Sequence, residues 1–209
     1  MYLPRDFRVE DEGRLFELID AIGVATVTSA GPAGLIANEV PLLLEPDTRR
    51  LWGHLAKPNS QLQEFAGVDQ VLVNFLGPSC YISPNWYTDS GLVPTWNFVS
   101  VQLRGKVVLH EGRDEVQDIV RRLSAKHEAP FASPWTMDKM DPVMLDKMLA
   151  VIVGFHIEIE EIVGKLKLSQ NRKPEDRAGV IAGLQASGQR EMADWMQSLE
   201  TTTDTTTNQ

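Results

Sequence analysis

The sequence predicts a mainly β chain of the α+β kind, with antiparallel strands that close into a barrel and helices at the periphery. Three observations carry this. Residues 95–110, TWNFVSVQLRGKVVLH, alternate apolar and polar side chains over a length no helical face would give. Several shorter runs are rich in Val, Ile, Thr and aromatic residues and end at Gly, Pro or Asn. Six or seven such strands, some long and bent, lose their exposed edges most simply by closing on themselves.

Taken in order, residues 10–22 predict a helix. Leu15, Leu18, Ile19 and Ile22 share one face, acidic residues lead, and Gly23 ends it. Residues 24–29, VATVTS, form a strand, 30–34 a turn, and 35–44 a strand in which Pro41 marks a bulge or an edge. Residues 45–49 turn the chain into a third strand, 50–55. Residues 58–65 predict a short helix opened by Pro58, with Leu62 and Phe65 inward. Residues 70–76, QVLVNFL, read as a central strand that Gly77-Pro78 breaks, followed by a separate strand at 79–83.

Pro84 and Pro94 bracket an aromatic loop before the long strand, in which Gly105 is a candidate bend. Residues 113–127 predict a helix, 129–140 an irregular segment, and 141–149 a helix with Asp141 as N-cap. Residues 151–162 form the last strand, with His156, Glu158 and Glu160 on a partly exposed face. Two helices, 175–186 and 189–199, hinge at Gly188. The run TTTDTTTNQ, 201–209, is low in complexity and expected to be mobile.

Composition narrows the function classes. The chain has 209 residues, 43% of them hydrophobic, and a formal net charge of −9. That balance opposes non-specific nucleic-acid binding, which neutralises phosphates with Lys and Arg. No run of eighteen apolar residues suggests a membrane span, and acidic residues stand where an export signal needs an apolar core. A single cysteine, Cys80, excludes an internal disulfide and fits a reducing cytoplasm. His54, His110, His127 and His156 show no metal-ligand spacing, so no metal is expected.

Two stretches carry chemistry. In LWGHLAKPN a strand ends at His54, and Lys57, Pro58 and Asn59 follow at once. An imidazole, an ammonium, an amide and backbone N–H groups gathered there suit an anion. A turn with a solvated lysine fits the same residues, and His54 serves equally as a structural histidine. In KLKLSQNR, alternation puts Lys165 and Lys167 on one strand face, and Ser169, Gln170, Asn171 and Arg172 add donors. A solvated strand end capping the next helix is the alternative there. Trp86, Tyr87 and Trp96 are candidate pocket walls, core or interface.

MYLPRDF, GHLAKPN, GPSCYISPNWY, VPTWNF, VGFHIEIEEI and KLSQNR occur in this order. Together they resemble the PaiB-like family of bacterial proteins, named negative transcriptional regulators and assigned to the FMN-binding split-barrel fold. The resemblance implies a split barrel over 1–164, a C-terminal polar motif and helical pair over 165–200, and the tail. It implies FMN as cofactor, a cytoplasmic homodimer with cofactor sites at the interface, and, if an enzyme, an FMN-dependent oxidoreductase. His54, Leu55, Ala56, Lys57 and Asn59 would meet the FMN phosphate. Thr95, Trp96 and Asn97 would face the ring, and Lys167, Ser169, Gln170, Asn171 and Arg172 would close over it. No catalytic residue is implied. A regulator acting without flavin, through DNA or a partner, is the alternative, and haem handling a minor one. Direct DNA contact conflicts with the acidic second helix of the C-terminal pair, QREMADWMQSLE.

Overall fold

The computed structural model describes residues 1–32, 34–89 and 91–204. Eight strands form one sheet: β1 (Arg8–Val9), β2 (Val24–Gly31), β3 (Gly34–Pro41), β4 (Leu43–Glu45), β5 (Arg50–Ala56), β6 (Val71–Ile82), β7 (Thr95–His110) and β8 (Ile152–Lys167). Among the described residues six α-helices accompany them: α1 (Glu12–Ile22), α2 (Gln61–Phe65), α3 (Arg113–Glu128), α4 (Pro142–Leu149), α5 (Pro174–Ala186) and α6 (Arg190–Asp204). The hydrogen-bonded order is β3-β2-β6-β7-β8-β5-β4, with β1 added to β8. The pairings of β1 with β8, β2 with β3 and β6, and β5 with β4 and β8 are antiparallel. The mainly β class holds, but the ladder does not close: β3 and β4 end the path.

The chain divides into two compact units. One comprises Met1–Glu12, Leu76–Val101 and the chain from Val163 onward; the other comprises Gly13–Phe75 and Gln102–Ile162. The units interleave along the sequence.

In the second unit the apolar stripe of α1, Leu15, Leu18 and Ile19, is buried together with Val27, Leu51, Phe75, Leu103, Phe155 and Ile157. Gly23 adopts φ +73°, and its N–H donates to the Ile19 carbonyl at 2.9 Å, which ends α1. Pro41 closes edge strand β3, and Leu42 N–H donates to the Gly23 carbonyl at 2.8 Å. This splits the expected strand 35–44 into β3 and β4. Helix α2 is shorter than expected and starts at Gln61, because Asn59 Oδ1 accepts from the Gln61 N–H at 3.0 Å while Lys57-Pro58 turns. Its buried face is Gln61, Glu64 and Phe65, and Leu62 is only half-buried. Gln61 Nε2 donates to the Val27 carbonyl at 2.9 Å, and its Oε1 accepts from Asn38 at 2.8 Å. This amide pins α2 to β2 and β3, a role its polarity concealed in the sequence.

Strand β6 runs unbroken through Gly77-Pro78, against expectation. Its pairing with β2 covers only Leu72 to Asn74, so the missing N–H of Pro78 removes no bond from that ladder. Strand β8 likewise continues past Ile162 to Lys167.

Helix α4 starts as the sequence indicates: Pro142 is its first residue, and Asp141 accepts from Met144 N–H at 3.0 Å. Replacing Asp141 by Ala should cost about 1 kcal/mol of stability, readable as a lowered urea midpoint.

In the first unit Ile82, Val99, Val101, Leu168, Val180, Leu184, Met192 and Met196 are fully or almost fully buried. Gly188 joins α5 to α6 at φ +81°, as the hinge reading expects. Helix α6 extends to Asp204, into the expected tail, and residues 205–209 lie outside the described residues.

Candidate functional site

The residues singled out by the sequence fall into two groups, one in each unit. In the second unit, β5 pairs antiparallel with β8, His54 opposite Gly154 and Ala56 opposite Ile152. The ladder continues into the turn, where Lys57 N–H donates to the Val151 carbonyl and Asn59 N–H to the Ala56 carbonyl, both at 2.9 Å. Those amides are therefore engaged. Leu55 is buried, whereas Ala56 and Lys57 are exposed. Helix α2 begins only at Gln61 and has five residues, so Pro58 opens no helix N-terminus for an anion.

His54 Nδ1 is buried without a hydrogen-bond partner, and burial pushes the imidazole below the ordinary histidine value. Its neutral form therefore stabilises the fold above the unfolded value near 6.5, and that contribution disappears as pH falls through the lower folded value. Urea midpoints measured at about pH 7.5 and 5.5 should fall less in His54→Asn than in the unmodified protein.

The first unit assembles a different arrangement. Thr95, Trp96 and Asn97 open β7, Lys167 closes β8, and a turn carries Ser169 to Arg172. Ser169 adopts φ +63°, rare for a residue with a side chain, and Arg172 N–H closes the turn on the Ser169 carbonyl at 3.0 Å. The buried side chains of Asn97 and Ser169 hold each other: Asn97 Nδ2 donates to Ser169 Oγ at 3.0 Å, and Ser169 Oγ reaches Asn97 Oδ1 at 3.2 Å. Lys167 Nζ donates to Thr95 Oγ1 and to the Trp96 carbonyl, the latter at 2.8 Å.

Phe7, Thr95, Asn97, Lys167, Ser169, Asn171 and Arg172 line a cavity of about 140 Å³. No carboxylate lines it. Burial, then the charges of Lys165 and Arg172, hold the Lys167 ammonium below the ordinary lysine value. An anion placed there relieves that repulsion. The volume suits a phosphate-sized group; a whole cofactor needs roughly 300 Å³ or more.

Two expected residues stand apart from this lining. Trp96 is 56% exposed and meets Tyr81 edge-on at 6.3 Å. Gln170 turns back on its own strand: its Oε1 accepts from Leu168 N–H at 2.7 Å and its Nε2 donates to the Leu166 carbonyl. It shapes the turn.

Phe7 was missed as a lining residue, because nothing in its spacing marks it. Trp86 packs against α5, and the Tyr87 ring is buried. A Cβ at Gly179 would lie 2.1 Å from the Trp86 carbonyl oxygen, and one at Gly183 would lie 2.4 Å from its indole. Arg172 lies over the Tyr87 ring at 5.4 Å, which helps fix the guanidinium. Asp176 of α5 accepts from both the N–H and the hydroxyl of Thr88 at 2.7 Å, bonds that hold its carboxyl below the usual carboxylate range.

A family model described as "Putative FMN-binding domain" matches residues 1–161, stopping ahead of Lys167. "Protease synthase and sporulation protein PAI 2" of Bacillus subtilis (strain 168) is 35% identical over 187 residues, covering 88% of this chain and 89% of that protein. "Uncharacterized protein AN0679" of Emericella nidulans is 28% identical over 207 residues, with 80% and 82% covered. Among solved structures, conserved hypothetical protein Rv2991 from Mycobacterium tuberculosis is similar at TM-score 0.61 and 12% identity, covering 83% of this chain and 94% of that chain. The flavocytochrome Anf3 from Azotobacter vinelandii is similar at TM-score 0.59 and 14% identity, covering 85% and 78%. These two likenesses show the fold.

Proposed function

We propose, from the premise that this chain belongs to the FMN-binding domain family, that it is a flavoprotein holding FMN by its phosphate in the first-unit cavity. The observation that carries the reading is Lys167, half-buried beside Arg172 in a polar cavity with no carboxylate in its lining. Thr95 and Asn171 add uncharged donors for the remaining phosphate oxygens, while Ser169, bonded to Asn97, holds the turn that carries Asn171. FMN, when bound, supplies electron-transfer chemistry, and the chain's own residues fix its anionic end.

The reading extends to a cytoplasmic homodimer. The family resemblance supports it; separately, no described helix is long and apolar enough to cross a membrane. Any regulatory effect then runs through a partner or a metabolite. Helix α6 buries Met192 and Met196 and exposes Glu191 and Asp194, which suits packing rather than reading bases.

The test compares FMN with riboflavin, which lacks the phosphate, by flavin-fluorescence titration of the purified chain. FMN should bind at least about tenfold more tightly, because charge-assisted phosphate bonds contribute roughly 1.5–3 kcal/mol. Equal affinities would overturn the phosphate placement, and no binding of either would overturn the flavoprotein reading.

A further inference from the structure

In the second unit, apart from the anion cavity, two histidines meet where β7 ends. His110 closes β7, and His156 lies on β8 opposite Trp52 of β5. His110 Nε2 is 2.8 Å from His156 Nδ1. Each ring turns its other nitrogen toward a carboxylate: Glu115 Oε1 lies 3.2 Å from His110 Nδ1, and Glu158 Oε1 lies 3.6 Å from His156 Nε2. The Trp52 ring sits at 5.4 Å from His110 and 4.7 Å from His156, centroid to centroid. His156 is 5% exposed, although the alternation of the strand placed it on a partly exposed face.

The other charges facing this cluster are fixed. Arg50 of β5 pairs with Glu158 at 3.3 Å. Arg122 of α3 lies over Trp52 at 5.0 Å and pairs with Glu45 of β4 at 2.5 Å. With Glu115 and Glu158, these are the charged groups that α3, β4, β5 and β8 bring to the pair.

The geometry limits how many protons the pair holds. An ionised carboxylate only accepts, so His110 Nδ1 carries a hydrogen toward Glu115. The 2.8 Å contact requires one proton between the rings. A neutral pair therefore places that proton on His156 Nδ1 and leaves His156 Nε2 bare. That atom is buried and has no hydrogen-bond partner. A third proton fills it, facing Glu158. A fourth would put an N–H on both sides of the contact and a full charge on both rings, so the contact separates.

We propose that His110 and His156 form a proton-operated latch, holding the first turn of α3 to β8 with two or three protons bound and releasing it on the fourth. The first turn of α3 depends on such outside ties. Its N-cap, Gly112, offers no side chain to the free N–H groups; Arg113 ties the turn to Asp146 of α4, and Glu115 ties it to His110. Release carries the His110 imidazole and Glu115 away from the His156 ring as an ion pair.

The test follows amide hydrogen exchange and imidazole ¹⁵N resonances of the full chain between about pH 7.5 and 4.5, exchange being corrected for its intrinsic pH dependence. The two rings should titrate in linked steps. Protection over 115–119 should fall at least about tenfold at the second step while β2 stays protected. His110→Gln, which keeps a hydrogen-bonding side chain but never charges, should abolish that fall, and His127→Gln should leave it unchanged. Independent single titrations of His110 and His156 would overturn the latch. So would a loss of protection that tracks β2, or one that survives in His110→Gln.

Discussion

Lys167→Ala should raise the dissociation constant for FMN by about tenfold to a hundredfold and leave riboflavin binding unchanged. The arithmetic is that of one charge-assisted hydrogen bond, roughly 1.5–3 kcal/mol, expressed as affinity. Thr95 Oγ1 and the Trp96 carbonyl already position the Lys167 ammonium, so little ordering remains to be done when phosphate arrives. Arg172→Ala should act in the same direction, with added loss of the packing over Tyr87. Fluorescence titration gives the constants, and a melting curve checks that the variants are folded. Lys57→Ala separates the two placements of the phosphate. Lys57 is exposed on its turn, so its removal should change FMN affinity little. The opposite pattern, loss with Lys57→Ala and none with Lys167→Ala, would move the phosphate to the 54–59 loop.

Gly105→Ala should be the most damaging small substitution in the second unit. A Cβ there would stand 2.1 Å from the Glu158 carbonyl oxygen and 2.8 Å from Ile157 Cγ2. The first neighbour is backbone of the adjoining strand and cannot rotate aside, so the ladder itself must shift. Forced overpacking of this kind costs about 3 kcal/mol. A chain of this size loses roughly 2–4 °C for each kcal/mol, giving a drop of about 6–12 °C in Tm by calorimetry. Gly67→Ala is the control, because its Cβ would meet only the Glu64 carbonyl at 3.8 Å, an ordinary contact. If the two variants melt together, close strand approach is not what Gly105 provides.

Long periodic elements were legible. Strand Thr95–His110 has the bounds its alternation gives, and α1, α3, α4 and α5 begin within two residues of their predicted starts. Local chemistry explains those cases: Asp141 with Pro142, and Gly23 after an apolar stripe. Elements decided by tertiary pairing were not legible. Pro78 looked like a breaker because the sequence does not show which partner a strand has at that point. Residues 58–65 looked like a longer helix because Asn59 gave no sign that it would cap Gln61. Of the candidate site, the 167–172 run stood out by its density of donors. Its cavity depends on Phe7, at the other end of the chain, which no local pattern connects to it. The two histidines lie 46 positions apart and were read as scattered, since register alone brings them together.

The interleaving of the two units has a consequence for synthesis. The chain passes between them four times, after Glu12, Phe75, Val101 and Ile162. No contiguous gene fragment encodes either one, so truncation cannot yield an independent half. Strand β1 meets its partner only at Gly164 and Lys165. While the ribosome is still elongating, Arg8 and Val9 must wait until Lys165 has been made before their ladder can form.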